Sequence, residues 1–225
     1  MTQNSRTWWV AWVLAAGFLF VTTAPVSAGD THNANPLSYG RTFGAWEGLW
    51  WNWALQFPSG SNPLLAPDGP VDCQAGNSGS VWFLAGNFGD TSVRTCSIAK
   101  GKAIFFPILN TLFWAPEDAA TEAALRALAK GNADLMVNLS CTLDGIPCEY
   151  SNLIVRTQSP AFVLSIPAGS LLTDFGVTAG DRFPAVSDGH WVMLPPPTPG
   201  AHVLQFSGMI DGFFTLDVTY NLTVE

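Results

Sequence analysis

The chain has 225 residues, a net charge of −8 at pH 7, and 12% charged against 48% hydrophobic residues. An acidic balance of this size argues against nucleic acid or an anionic membrane surface as the natural partner, because both recruit basic faces. The length fits one domain with a core large enough to be stable alone.

The N-terminus has the pattern of a cleaved signal peptide over residues 1–28. Arg6 supplies a positive start, residues 8–21 form an apolar run, and Val26-Ser27-Ala28 places small residues where a signal peptidase reads. A retained anchor is the rival reading, but the run is short for a span of about 20 residues and Pro25 ends it. The expected product is a secreted or periplasmic domain over 29–225 with no membrane span. Without Arg6 it carries 8 basic against 17 acidic residues, a net of about −9.

A helix is expected over residues 42–56, capped by Thr42 and stopped by Pro58. It contains Trp46-Glu47-Gly48-Leu49-Trp50-Trp51-Asn52-Trp53, four tryptophans in one short stretch. At about 100° per residue, Phe43, Trp46, Trp50, Trp53, Ala54 and Phe57 share one face, while Arg41, Asn52 and Gln56 gather opposite. Gly44 and Gly48 mark a flank that another element can approach closely. Glu47 breaks the aromatic pattern, since a carboxylate there is costly unless it is paired or opens on a pocket.

Residues 57–80 are rich in Pro, Gly, Ser and Asn and read as a long loop ending at Cys73 and beyond, the kind of segment that often carries function. Residues 81–85 and 103–109 are short apolar runs consistent with buried strands. Pro116-Glu117-Asp118 is expected to open a second helix and Lys130-Gly131 to close it. From Asp134 the hydrophobic period falls to two. Leu135, Val137, Leu139, Cys141 and Leu143 form one set, and Phe162, Leu164 and Ile166 another. Phe214, Leu216, Val218, Tyr220, Leu222 and Val224 make the cleanest inner face, with residues 201–206 as the hairpin partner.

Four cysteines in an exported chain suggest two disulfides. In Cys141-Thr142-Leu143-Asp144-Gly145-Ile146-Pro147-Cys148 the Asp-Gly pair signals a type I′ hairpin, and counting outward sets Cys141 opposite Cys148. Cys73 and Cys96 are then left to each other. These patterns specify a mainly β chain: an antiparallel β-sandwich, with a jelly roll as the candidate arrangement, and the aromatic helix and one further helix packed on it.

The segments Val81-Trp82-Phe83-Leu84-Ala85-Gly86, Arg94-Thr95-Cys96-Ser97-Ile98, Phe105-Phe106-Pro107-Ile108-Leu109-Asn110, Cys141-Thr142-Leu143-Asp144-Gly145 and Asp217-Val218-Thr219-Tyr220-Asn221-Leu222-Thr223-Val224 resemble a group of uncharacterised exported bacterial proteins. The resemblance implies export and a single domain. It transfers no activity and no catalytic residue.

Each candidate for chemistry has a plainer alternative. Glu47 among indoles can be a general acid or base with a raised pKa, or the partner of an arginine such as Arg94. Trp51, off the main stripe, is the tryptophan expected to be exposed as a platform for a sugar ring, against core packing for the rest. Asn52, Asp68 and Arg94 join it as candidate ligand-binding residues. Asp68 and Asp72, with Asn62 or Asn77, offer hard oxygen ligands for calcium, although Asp and Asn are also turn formers and no EF-hand pattern is present; zinc fits less well, with His32, His190 and His202 far apart in sequence. In Asp188-Gly189-His190-Trp191 the histidine is expected at the mouth of a strand, as an acid–base group or simply a strand end. Two functions follow. The leading one is a secreted binding or structural protein of the bacterial envelope or extracellular space, taking a small molecule or glycan. The alternative is an extracellular hydrolase, glycosidase or esterase-like, using Glu47, Asp68 and His190.

Overall fold

The computed structural model describes residues 38–148, 153–210 and 212–225. The expected signal peptide lies outside them. In chain order the elements are α1 (Phe43–Leu55), β1 (Gly69–Pro70), β2 (Val81–Phe83), β3 (Asp90–Ile98), β4 (Ala103–Trp114), α2 (Glu122–Ala133), β5 (Met136–Leu143), β6 (Ile146–Pro147), β7 (Ile154–Gln158), β8 (Phe162–Ile166), α3 (Leu171–Asp174), β9 (Gly180–Leu194), β10 (Gly200–Ile210) and β11 (Phe214–Val224).

The strands form a β-sandwich. One sheet runs β1-β3-β11-β10-β5-β6, and the other runs β2-β4-β9-β7 with β8 also on β9. Most pairs are antiparallel, while β1 with β3, β3 with β11 and β2 with β4 are parallel. Between the sheets, Ile104, Phe106, Val192 and Leu194 meet Leu204, Phe206, Val218 and Leu222. Phe106 and Phe206 bring their rings to 4.7 Å. The hairpin β10–β11 is in unbroken register from Gly200 opposite Val224 to Ile210 opposite Phe214, as the period-two pattern requires.

The second sheet is covered on both faces. Its side away from the sandwich core presents Phe105, Ala185, Trp191 and Met193 to Phe43, Trp50, Trp51 and Ala54 of α1. This explains why β4 and β9 read as nearly continuous apolar runs rather than as alternating ones. The helix begins where Thr42 accepts the Ala45 N–H and ends at Gln56, one residue inside the expected bounds at either end.

The turn chemistry holds as well. Asp144 and Gly145 have φ of 54° and 76°, and Leu143 opposes Ile146 while Thr142 opposes Pro147. Cys141 bonds Cys148 and Cys73 bonds Cys96, which accounts for all four cysteines.

Three elements differ from the sequence reading. Helix α2 starts at Glu122, because the Thr121 hydroxyl rather than Pro116 caps it, and Asp118 accepts the Trp114 N–H in the turn before it. Asn138 sits at φ 54° beside a register shift between Ser207 and Met209, so β5 changes face there. Met136 is therefore buried and Leu135 and Val137 exposed, the reverse of the simple alternation. His190 lies within the 15-residue β9, not at a strand mouth.

Gly44 and Gly48 do let α1 settle against its neighbours. A Cβ on Gly44 would stand 3.0 Å from the Gln158 carbonyl oxygen, and one on Gly48 would stand 2.9 Å from Phe162 Cγ. Gly131 in α2 has nothing within 4 Å of the same position. Alanine gains about 1 kcal/mol over glycine in a helix interior, and overpacking costs about 1–3 kcal/mol. Urea unfolding is therefore expected to show Gly131→Ala stabilised and Gly48→Ala destabilised. Equal stabilisation of both would contradict this packing.

Candidate functional site

Glu47 occupies the centre of the α1 interface with none of its surface exposed. Neither carboxyl oxygen has a hydrogen-bond partner of good geometry among the described residues, and no cation pairs with it. Burial pushes its pKa well above 4.5; the Ser187 hydroxyl and the Trp191 indole ease this, and the charge of Asp188 adds to it. An ionised carboxylate in such surroundings is prohibitively costly, so the group is held as the neutral acid. The expected pairing with Arg94 does not occur. Glu47 is also sealed from solvent, which removes it as a residue acting directly on a ligand in this conformation.

The tryptophans are equally committed. Trp46 Nε1 donates to Ser38 O at 2.8 Å, Trp50 Nε1 to Leu84 O at 2.8 Å, Trp51 Nε1 to Ser187 Oγ at 3.0 Å and Trp53 Nε1 to Ala75 O at 3.0 Å. Trp51, expected at the surface, is 9% exposed and meets Trp50 edge-on at 5.0 Å. It lies over β9, where Ser187 accepts its proton, so it offers no platform. Asn52 faces the edge strand β8 instead of a ligand: its amide donates to Val163 O and its oxygen accepts from Ser165 N, like one more strand residue.

His190 is directed to the opposite side of β9 from Ser187 and Trp191, since neighbours along a strand alternate. It pairs across with Arg156 and Leu109. Burial and the nearby Arg156 charge lower its pKa to about 4, and among the described residues its Nδ1 has no hydrogen-bond partner. Asp188 does not orient it; that carboxylate takes Arg156 Nε at 3.3 Å and Gln158 Nε2 at 3.1 Å. Asp68 is at the far edge of the other sheet, accepting the Val93 N–H, and Asp72 accepts the Gln74 N–H in a turn. Glu47, Asp68 and His190 thus occupy three separate places. Among the described residues no group of three or more His, Cys, Asp or Glu side chains is placed to hold a metal.

A cleft of about 370 Å³ opens where the 57–80 loop wraps over the end of α1 and the end of β2. Trp53, Phe57, Phe83 and Tyr220 give it aromatic walls, Leu65 and Pro70 apolar ones, and Asp72 is the acid that lines it. Its loop wall is held by the Cys73–Cys96 disulfide, by the Trp53–Ala75 bond and by Asn62, whose amide donates to Ala54 O and Phe57 O. Asn77 ties the same loop to β2 by accepting the Phe83 N–H and donating to Phe83 O. The sequence signalled the loop as functional. It did not signal Phe83 or Tyr220, which read as ordinary strand residues until the topology brings both to the cleft.

Arg94 lies behind this cleft. It is 1% exposed, and its Nη1 donates to Ala85 O, Gly86 O and the Tyr220 hydroxyl while Nη2 donates to Ala66 O. Its guanidinium carbon stands 5.7 Å from the Tyr220 ring centre.

No family model and no curated protein matches the chain. A solved structure, the solution structure of amebosin, aligns with 70% of this chain and all of its own at 9% identity and a TM-score of 0.21, which carries no argument.

Glu47 makes stability depend on pH in one direction. The folded protein retains the Glu47 proton above the 4.5 at which the unfolded chain releases it, so over that window the unfolded state binds fewer protons. Stability is then fully present below pH 4.5 and falls as pH rises, by up to about 1.4 kcal/mol per unit, until the folded-state pKa is passed. Glu47→Gln keeps the shape and has no proton to lose. Its unfolding free energy, measured by denaturant from pH 4 to pH 8, is expected to gain on the native protein steadily with pH. A constant difference would contradict a buried neutral acid.

Proposed function

We propose that this protein is an exported binding protein of the bacterial envelope or extracellular space, and that the cleft beside α1 is its ligand site. The carrying observation is the cleft itself: about 370 Å³ of space with a mostly apolar lining along which Trp53, Phe57, Phe83 and Tyr220 lie, and with Ser59, Ser61, Asn62 and Asp72 as its other polar side chains. Small-molecule sites fall in the range of about 300–1,000 Å³ and have this kind of lining. A ligand with an apolar planar face, such as a sugar ring, suits walls that offer ring faces and edges.

Two further observations support the reading. The loop wall is braced by a disulfide and side-chain ties to the frame, so little ordering cost falls on binding. Both disulfides suit an oxidising compartment. Among the described residues no helix is long and apolar enough to cross a membrane. The hydrolase alternative receives no comparable support, because its three proposed residues do not converge.

Titration of the mature protein against a panel of mono- and oligosaccharides and small organic ligands, followed by calorimetry and tryptophan fluorescence, tests the proposal. At least one saturable ligand is expected. Ser61→Trp, which places a bulky side chain from an exposed position into the cleft, is expected to abolish that binding, and Leu65→Ala to weaken it about fivefold through the loss of roughly 1 kcal/mol of apolar contact. Binding untouched by Ser61→Trp would move the site elsewhere.

A further inference from the structure

Arg94 is a full positive charge in the interior. Among the described residues no carboxylate lies within ion-pair distance of it, and its Nε has no hydrogen-bond partner at all. A buried cation is normally paired, because its desolvation outweighs what neutral dipoles return. Here its neighbours are backbone carbonyls and one hydroxyl. Three of the residues it bonds, Ala66, Ala85 and Tyr220, themselves line the cleft. The unpaired charge and the empty space therefore share a wall.

That wall transmits the charge. The Ala66 and Ala85 carbonyls direct their oxygens at the guanidinium, so their dipoles carry positive ends away from it. Tyr220 locks the arrangement, accepting a hydrogen bond from Arg94 at 3.0 Å and donating its own to Ala85 O at 2.8 Å, the same carbonyl that Arg94 bonds. Against largely apolar walls, an oriented field of this kind acts more strongly than it would at a flat polar surface. Within the lining, Asp72 is the carboxylate that opposes it.

From this geometry we infer that the cleft selects an anionic ligand: a small organic acid whose apolar, planar body lies on the aromatic walls and whose carboxylate sits against the wall formed by Ala66, Ala85 and Tyr220. An acidic sugar and an aryl acid share this chemistry. The inference rests on the cleft being the ligand site and adds its charge preference.

Matched pairs test it on the native protein. Calorimetry compares glucuronate with glucuronamide and phenylacetate with phenylacetamide at constant ionic strength, so that each pair differs in charge and hardly in shape. The acid of at least one pair is expected to bind about tenfold more tightly than its amide. Asp72→Asn, which removes the one carboxylate of the lining, is expected to raise the acid-over-amide ratio several-fold, whereas Arg94→Lys keeps a charge and is expected to retain part of the preference. Preference for the sugar pair alone or the aryl pair alone identifies the body of the ligand. Acid and amide binding equally would overturn the charge preference and leave the cleft as a ligand site. Failure of both pairs to bind at millimolar concentration would also overturn it, while the wider panel with Ser61→Trp judges the cleft independently.

Discussion

The structure depends on one contact: helix α1 lying flat across the outer face of the β4–β9 sheet. A sandwich has a dry side for each sheet, and here the second sheet is dry on both. The helix supplies the missing cover. It does so with large rings rather than small aliphatic side chains, and rings bring N–H groups that must be satisfied indoors. Each of the four indoles reaches a different part of the chain: Ser38, the carbonyl after β2, the middle of β9 and the 57–80 loop. One helix thereby fixes its own lead-in, the 57–80 loop, the exit of β2 and the distant β9.

Glu47 is the anomaly within that contact. A tightly packed aromatic interface would be more stable with an apolar residue there, yet a fully buried carboxylic acid sits near Ser187 and Trp191, and among the described residues no cation pairs with it. Held neutral, it is a hydroxyl donor and a carbonyl acceptor in a region where Ser187 already accepts from Trp51. The interface is consequently polar in one small patch and apolar around it. The same helix ends at the cleft, where Trp53 is both a core residue and a wall, so the order of the α1 interface sets the order of the site. The disulfide from Cys73 to Cys96 does the same from the loop side.

Much of the fold was legible because local signals agreed with the final packing. The Thr42 cap, the Asp144-Gly145 turn, both disulfides and the alternation in β11 each have a short-range physical cause. The departures have long-range causes. Asn138 reverses the faces of β5 through a bulge that no period count reveals, and Thr121 displaces the expected start of α2 by taking the cap. The site was less legible still. Glu47 could be singled out as an acid among indoles, but whether it met Arg94 or a pocket depended on which sheet α1 covers and which sheet β3 joins. Phe83 and Tyr220 line the same cleft only because the chain just after β2 lies against β11 of the other sheet, where Tyr220 donates to Ala85 O. Arg94 was noticed as a cation and misplaced as a partner for Glu47, since sequence gives its charge and not its neighbours.

The central claim is that α1 is buried around a neutral acid. Infrared difference spectroscopy between the native protein and Glu47→Gln at pH 7, in light and heavy water, observes that group directly. A protonated, weakly hydrogen-bonded carboxylic acid C=O band, present in the native protein and lost in Glu47→Gln, is the result this account predicts. Loss of a carboxylate band in its place would show an ionised Glu47 and contradict it.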